Sequence, residues 1–487
     1  MKKALSLLLA LLCVLSAAAC GEDQPNADKE AEGNVTTVSQ TEEETSYLEA
    51  LNVVSYEGGE FKICVNSQYD RPNVHDGEET GEIINDMLYR RDEKVGVMFD
   101  TSVVYTVYEN RDSQIADVIK LVSADEDVYD MIIAVPGAGI NQLAPGGYLA
   151  DLASISGIEL SNEWWCQSMN ETMEFNNKVL ATAGPIALCY CYAPYTIFAN
   201  LTMMEDYQME DIYDVVKDGK WTIEKLGEMI KDIGSDLNND GKMRAADDFF
   251  GMSVTAEAGK AFYVGCGMSA VDKKDDSVTL MMDTEKSISI LDKLHTLCDA
   301  DNVIYTDSLG KNKAGIDYRY ALFIDQQTMF CASPMQWGLL NFRSMEDDYA
   351  ILPFPKLDDT QTEYYSHINS FFPVASCVPV TCGRMDIVGY VMEALAFLSQ
   401  TTVVPEINEV VLKEKVARDE DSKLMIDLIY RNMTTDLNGI YNFGGSNTIL
   451  REYAVAYKRE FLSAYEKIKE KAMSDVESMI EAHRKNY

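Results

Sequence analysis

The chain has 487 residues, 47% of them apolar, and it carries 41 Lys and Arg against 80 Asp and Glu, a formal net charge of −39. That acidity excludes nucleic acid as a partner, because phosphate recognition needs clustered Lys and Arg. A charge of this size is typical of a protein that is kept soluble by self-repulsion. The length and the apolar content together predict two or three domains.

The N-terminus has the pattern of an export signal. Lys2 and Lys3 precede an uncharged run from Ala4 to Ala19, which is followed by Cys20. A charged start, a short apolar middle and a small-residue exit indicate a secretory signal, and the run is short for a membrane span. Its end, "LSAAAC", resembles a bacterial lipoprotein signal, so we expect residues 1–20 to be a signal peptide with Cys20 as the lipidated residue. Ordinary cleavage after Ala19 is the alternative.

Residues 21–55 are predicted to be a disordered acidic tether. Acids, Thr, Ser and Asn surround few apolar residues in this segment. It therefore cannot bury enough surface to offset the entropy of ordering. Such a tether would hold a folded body away from the surface to which Cys20 is anchored.

The next segment alternates between strand and helix patterns. "FKICVNS", "VMFDTSVVYTVY" and "YDMIIAVPG" are strand-like, whereas "GEIINDMLYRRDEKVG" and "DSQIADVIKLVSA" repeat apolar residues at helical spacing. This order predicts a parallel sheet with helices on both faces. Ligands of such sheets bind beyond the carboxyl ends of the strands, which here are the loops at residues 66–70 and 135–137.

The middle of the chain mixes aromatic strands and helices. "ALCYCYAPYTIFAN" is predicted to be strand-like, with Cys189 and Cys191 on one face and therefore unable to bridge each other. "DGKWTIEKLGEMIKDIG" predicts a helix capped by Thr222. "QQTMFCASPMQW" and "DYAILPFPK" are strand-like, and helical patterns follow near residues 385–400, 404–415 and 450–474.

The segment "DLNNDGKMRAAD" reads like the calcium loop of an EF-hand, with Gly241 at the sharp turn. Loop positions one, three, five, seven and twelve are Asp236, Asn238, Asp240, Lys242 and Asp247. An Asx-rich turn whose side chains bond their own backbone is the alternative, and Phe249 to Gly251 interrupt any following helix. We expect no required cofactor, and a calcium ion at most as a structural stabiliser.

Several segments in this order carry a family resemblance: "ACGED", "YDMIIAV", "GGYLADL", "DIYDVVKDGKWTIEKL", "DLNNDGK", "ILPFPK" and "LKEKVARDEDSKLMIDLI". The chain resembles bacterial extracellular solute-binding proteins of family 1, which include maltose-binding protein and deliver ligands to ABC importers. The resemblance implies a two-lobed α/β fold, periplasmic-binding-protein-like, with a hinged interlobe cleft. It places the first lobe at residues 56–190 and 372–400, and a mostly helical second lobe at residues 191–371 and 401–487.

The same resemblance implies the ligand site. Trp337, after the "TMFCASP" strand, corresponds to an aromatic residue that reaches the cleft and could stack on a sugar ring; a buried core residue is the alternative. Tyr441 in "YNFG" and the loop residues Gln68, Tyr69 and Asp70 are the other candidates. At residues 134–138 the sequence departs from maltose-type proteins, which place charged and aromatic groups there, so the resemblance does not fix the ligand.

The implied function is capture of a small solute, an oligosaccharide first, by a monomer that is lipid-anchored on the outer face of the cell membrane and serves ABC permease subunits. A ligand-sensing lipoprotein for a peptide or another small solute is the alternative. A glycan-active enzyme would need two carboxylates across a cleft. No pair of acids is marked by its surroundings, the four histidines lie in unrelated contexts, and no nucleophile elbow is present. We therefore expect a binding protein.

Overall fold

The computed structural model of the chain describes residues 45–51, 54–67, 73–342, 345–408, 420–455 and 458–487. The chain divides into two units, Met1–Ala50 and Leu51–Tyr487. Of the first unit, residues 45–50 are described and are helical, whereas Cys20, the signal peptide and most of the predicted tether lie outside the described residues. No helix in the described part of the chain combines the length and apolar character that a membrane span requires.

The second unit is built on two larger sheets and three small ones. In chain order its strands, β1 to β17, are Gly59–Asn66, Thr101–Tyr108, Met131–Ala134, Glu174–Phe175, Lys178–Val179, Thr182–Ala183, Tyr195–Asn200, Gly234–Ser235, Phe249–Val254, Val271–Lys274, Ser277–Leu280, Val303–Tyr305, Thr328–Pro334, Tyr349–Leu352, Ser366–His367, Ala375–Cys377 and Met433–Thr434.

The two larger sheets define two lobes. The first sheet has the order β2-β1-β3-β16-β6, with β1 parallel to both β2 and β3. The second has the order β12-β9-β13-β7-β14, and β8 pairs with β9. The chain leaves the first sheet after β6 and returns to it at β16, so both lobes are discontinuous in sequence. The mixed α/β architecture predicted from the alternating pattern is confirmed.

Helices cover both sheets. In chain order, α1 to α17 are Ile83–Phe99, Arg111–Ser123, Ile140–Leu143, Gln167–Met173, Cys189–Tyr192, Leu201–Asp206, Ile212–Lys217, Ile223–Ile230, Ala256–Gly265, Glu285–Cys298, Tyr318–Ile324, Gln336–Leu340, Val388–Leu398, Glu420–Arg431, Leu437–Tyr441, Ser446–Tyr453 and Phe461–Asn486. Short 3₁₀ turns lie at Pro136–Ala138, Leu152–Ser154 and Phe443–Gly445, and a π turn at Ser399–Val403 extends α13.

A short parallel pair, β15 and β17, lies between the lobes, and we call it the hinge sheet. In it Ser366 pairs with Met433 and His367 pairs with Thr434. Strand β15 contacts α9 of the second lobe, and β17 contacts α4 of the first. We call residues 189–194, which lead into β7, the first crossing, and residues 353–374, between β14 and β16, the second crossing. An isolated bridge between Pro194 and Ile368 joins the first crossing to the hinge sheet. The hinge sheet therefore contacts both lobes where the chain passes between them.

Local rules explain the ends of several helices. The predicted cap of α8 is confirmed, since Thr222 Oγ1 accepts a hydrogen bond of 3.1 Å from the Lys225 N–H.

In the first lobe, the buried carboxylate of Glu393 on α13 accepts hydrogen bonds from Trp164 Nε1 at 3.1 Å and Trp165 Nε1 at 3.0 Å. This one carboxylate fixes both tryptophan rings to the helix.

One sequence expectation is wrong where the chain is apolar on every side, because residues Cys189–Tyr192 form the helical turn α5 and the strand begins only at Tyr195. Phe249 to Gly251 do interrupt any helix after the calcium-like loop, as expected, but the fully buried strand β9 that they begin was not predicted. Full burial removes the polar alternation that separates strands from helices in a sequence. The nine cysteines in the described chain are buried and form no disulfide.

Candidate functional site

The carboxyl ends of both larger sheets lead to the hinge sheet. In the first lobe, the loop after β3 touches the second crossing, because the Gly137 N–H donates to Ser370 O at 2.8 Å. A Cβ on Gly137 would come within 3.0 Å of Gly439 O, so this loop also packs closely on α15. In the second lobe, β9 ends at Val254 and α9 begins at once. Ligands of open α/β sheets bind at such strand ends.

Five charged or titratable side chains meet at this place, and we call them the charged cluster: Glu257, Lys260, His367, Asp436 and Arg451. Glu257 Oε1 lies 3.2 Å from His367 Nε2, and its Oε2 lies 2.7 Å from Arg451 Nε. Lys260 Nζ lies 3.7 Å from Asp436 Oδ2. All but Arg451 are buried; the Arg451 side chain is 37% exposed.

Local structure brings the cluster together. Thr255 caps α9, and its Oγ1 accepts from the Ala258 N–H at 3.3 Å. Because helical residues three apart share a face, Glu257 and Lys260 project from α9 side by side. His367 comes from the hinge sheet, Asp436 precedes α15, and Arg451 lies in α16. The cluster therefore combines side chains from the second crossing, from the chain that follows the hinge sheet and from the second lobe.

The electrostatics favour one protonation state. Burial alone would raise the pKa of Glu257, but the His367 hydrogen bond and the charges of Lys260 and Arg451 outweigh it and lower that pKa to about 2. Burial and the Lys260 charge lower the pKa of His367, against the opposing effect of Glu257. The cluster thus holds two carboxylates, two cations and a neutral imidazole, and its net charge is zero.

Several buried polar atoms at the cluster lack a hydrogen-bond partner among the described residues. They are Lys260 Nζ, His367 Nδ1 and, in the adjoining helix α15, Asn438 Nδ2. Buried polar atoms are nearly always satisfied in native proteins, so these atoms call for a ligand or water. Any side chain at Gly439 would collide with Lys260 Nζ and Ser370 Oγ, so glycine is what allows the lysine to reach this position.

A large groove on the second lobe lies elsewhere. It measures about 860 Å³, runs between α8 and α10 and includes none of the charged cluster. Its walls alternate apolar and charged side chains of the two helices. Among its lining residues only Asn302, through Oδ1, has a buried side-chain atom without a hydrogen-bond partner, whereas three such atoms lie at the charged cluster. The charged cluster is therefore the candidate site because of its buried charges and unsatisfied polar atoms, although the groove has the larger volume.

Solved structures share this architecture. The ABC substrate-binding protein Lmo0181 from Listeria monocytogenes, in complex with cycloalternan, aligns over 86% of this chain and 98% of its own, with a TM-score of 0.51 and 11% identity. UgpB from Mycobacterium tuberculosis, in complex with glycerophosphocholine, aligns over 87% of this chain and 99% of its own, with a TM-score of 0.54 and 11% identity. The chain has the fold of an ABC substrate-binding protein.

That fold is established by structure rather than by sequence. No protein-family profile and no curated protein sequence matches the chain. At 11% identity, the two substrate-binding proteins show the fold alone. The two-lobed fold predicted from the sequence is confirmed, whereas the finer assignment to family 1 stays a prediction.

Trp337 lies near the start of α12, three residues after the end of β13. Its ring is partly buried and meets Tyr320 edge to face at 5.5 Å between centroids, with Phe342 at 6.4 Å. The position at the carboxyl end of a strand suits a ligand contact, and the aromatic neighbours would keep the ring in place. Its role in binding stays a prediction.

Of the other four predicted ligand contacts, only Tyr441 lies among the described residues. Gln68, Tyr69 and Asp70 lie outside the described residues. Tyr441 ends α15, where its hydroxyl lies 3.0 Å from His483 Nε2 and its ring stacks on Phe443 at 5.6 Å. The Tyr441 hydroxyl therefore already has a partner within the protein, so only the ring could contact a ligand.

The calcium-like loop is closed by its own hydrogen bonds. Asp236 accepts from the backbone N–H groups of Asp240 and Gly241, and Asp240 is paired with Arg244. The buried Asp248, one residue beyond the predicted twelfth position, accepts from the N–H groups of Leu237 at 3.0 Å and Arg244 at 2.6 Å. Nowhere in the described chain do three His, Cys, Asp or Glu side chains form a group that could hold a metal. These hydrogen bonds match the Asx-rich turn given as the alternative, and calcium binding by the loop stays a prediction.

The charged cluster was not predicted from the sequence. One local signal was available, because "TAEAGKAFYV" places Glu257 and Lys260 in an otherwise apolar helix of which every residue is buried. Charged residues are almost never fully buried unless they are paired. The pairing partners lie more than a hundred positions further along the chain, so no spacing rule could join them.

We predict that the pair of His483 and Tyr441 makes the protein sensitive to acid. Burial lowers the pKa of His483 to about 4. Because the unfolded chain takes up this proton near pH 6.5, stability should fall as the pH drops from about 6.5 to 4, by about 3 kcal/mol for this group. Urea unfolding at pH 7 and pH 4.5 should show a smaller acid loss in His483→Gln than in the wild type. Equal losses would contradict the assignment.

Proposed function

We propose that the protein is an exported solute-binding protein that captures a small, uncharged, hydroxyl-rich solute between its lobes, an oligosaccharide first, for an ABC importer. The observation that carries this proposal is the charged cluster at the strand ends of a substrate-binding-protein fold, with unsatisfied polar atoms beside it. No catalytic role is assigned, since each carboxylate of the cluster is paired with a cation.

The unsatisfied atoms match hydroxyl groups. Lys260 Nζ and Asn438 Nδ2 are donors, and the free Nδ1 of a neutral His367 is an acceptor. A hydroxyl group both donates and accepts, so one sugar can satisfy atoms of both kinds. Hydrogen bonds made in a buried site discriminate strongly, because a ligand that lacks the group leaves buried atoms unpaired.

The charge balance of the cluster distinguishes uncharged ligands from ligands that carry a charged group. One structural neighbour is in complex with cycloalternan and the other with glycerophosphocholine. In the present chain the buried charges of the cluster already cancel, so a ligand with a phosphate or carboxylate would add an uncompensated charge, which is costly in a buried site. An uncharged saccharide is therefore favoured, and a solute with charged groups is the second candidate.

The anchor and the partners follow from the sequence. The signal pattern that ends at Cys20 supports export and lipidation, which would hold the protein on the outer face of the cell membrane. ABC permease subunits are the proposed partners of a monomeric binding protein, and a sensor for a peptide or another solute is the alternative. These parts of the proposal rest on residues outside the described chain or on the fold.

No cofactor is needed for solute capture in this proposal. None of the loop residues 236–247 belongs to the charged cluster, so we predict equal solute affinity in calcium and in EDTA. The melting temperature tests the loop separately: a rise in calcium that Asp240→Ala abolishes would establish a structural ion. An affinity that depends on calcium in the wild type would contradict the separation of loop and site.

Binding measurements test the proposal. Isothermal titration of the purified full-length protein against a panel of neutral oligosaccharides should identify a ligand that Lys260→Met and Trp337→Ala each bind at least tenfold more weakly. Central anchors of this kind commonly contribute about 2 kcal/mol. Lys120→Met, whose side chain is 78% exposed in the wild type, is the control and should bind normally.

Melting of the same variants without ligand distinguishes a site residue from a packing residue. Full affinity in both variants would overturn the site. Weak binding with a collapsed melting temperature would remove that residue from the site, because a large side chain in a core costs about 3 to 5 kcal/mol of stability when it is truncated.

A further inference from the structure

A second cavity lies on the other face of the hinge sheet. Met433 lines it, and Met433 pairs with Ser366, the neighbour of His367. Successive residues of a strand point to opposite faces. His367 faces the charged cluster, so the cavity lined by Met433 lies on the opposite face. We call it the hinge cavity.

Both lobes contribute walls to the hinge cavity, whose volume is about 330 Å³. Trp164 and Pro185 come from the first lobe, Tyr190 from the first crossing, and Tyr430 from the end of α14, which packs on β14 of the second lobe. Val404, one residue after the π turn, completes the wall. Pockets for small molecules begin at about 300 Å³, so the cavity can enclose a single-ring molecule.

Three aromatic side chains line the cavity with Gln400 and Asn408, and Asn408 Oδ1 is a buried acceptor without a hydrogen-bond partner among the described residues. The Tyr430 hydroxyl donates to Cys191 O at 3.1 Å, and Trp164 Nε1 donates to Glu393 Oε1 at 3.1 Å. The Tyr190 ring completes the group. The three aromatic residues therefore offer ring surfaces, rather than hydroxyl or indole donors, to an occupant.

Charged side chains stand at the rim. Glu163, Asp427 and Arg431 line the cavity and are exposed, and within the described residues none of them has an ion-pair partner within 4.0 Å. Two carboxylates against one guanidinium give the rim a net negative charge. Aromatic faces combined with carboxylates are the groups that bind organic cations, because the ring quadrupole and the negative charge both attract them.

We infer that the hinge cavity is a second ligand site, separate from the interlobe site, and that it takes a small organic cation with one apolar ring. The ring would lie against Trp164, Tyr190 and Tyr430, and the ammonium group would face Glu163 and Asp427. Arg431 limits the affinity, because it opposes the charge of the ligand.

The position of the cavity also predicts that its occupant is coupled to solute binding, and this consequence rests on the proposed function. Because the cavity and the charged cluster lie on opposite faces of one hinge sheet, a lobe rotation that opens one must deform the other. An occupant that fits the cavity as it stands favours this arrangement of the lobes. By linkage it changes solute affinity, and the solute changes the affinity for the cation by the same factor.

The test uses 2-phenylethylamine as the probe and 2-phenylethanol as its uncharged counterpart, titrated calorimetrically into the full-length protein without solute. We expect one site, with the alcohol at least tenfold weaker. Glu163→Gln and Asp427→Asn should each weaken amine binding at least threefold, and Arg431→Gln should strengthen it. Glu171→Gln, an exposed acid on α4, is the matched control and should leave binding unchanged.

Three results would overturn the site: no amine binding to the wild type, equal binding of amine and alcohol, or unchanged amine binding in the Glu163→Gln, Asp427→Asn double variant. The Arg431→Gln arm keeps the test valid if the double variant fails to fold. Saturating amine should change solute affinity at least threefold, and no change would refute the coupling alone. Because the amine titration contains no solute, its outcome is independent of the proposed solute-binding function.

Discussion

The ion pairs of Glu257 hold together the part of the molecule where function is concentrated. One buried carboxylate contacts His367 of the hinge sheet and Arg451 of α16, while its own helix continues from strand β9. A buried carboxylate is tolerated only when it is paired and hydrogen-bonded. The positions of the hinge sheet, α9 and α16 are therefore mutually dependent, and Lys260 lies beside Asp436 because of this arrangement.

The hinge sheet links two chemically different environments. On the face of His367 the groups are charged, balanced and buried, which suits hydrogen bonding to an uncharged polar solute. On the face of Met433 three aromatic side chains line the walls and the rim is acidic. The alternation of side chains in two short strands separates these environments, so a change in either one is transmitted through the same backbone.

The sequence predicted the amphipathic helices and several strands, among them the fully buried β3, β13 and β14. Helices α1 and α2 and strands β1 to β3 follow the alternating pattern, and Thr222 caps α8 as expected. Strand β9 and the turn α5 were not predicted, since burial on all sides leaves no periodicity that distinguishes a strand from a helix. Trp337 was proposed from the resemblance, and its role stays a prediction. The charged cluster could not be predicted, because its members are brought together by the hinge sheet and helices from distant parts of the chain rather than by any local spacing.

A structure of the protein with a bound neutral oligosaccharide tests the central claim most directly. The account predicts a sugar oxygen between the lobes within about 3.2 Å of Lys260 Nζ, and a second hydroxyl donating to His367 Nδ1. A saccharide bound away from the charged cluster, with Lys260 Nζ still lacking a partner from the ligand, would contradict the account.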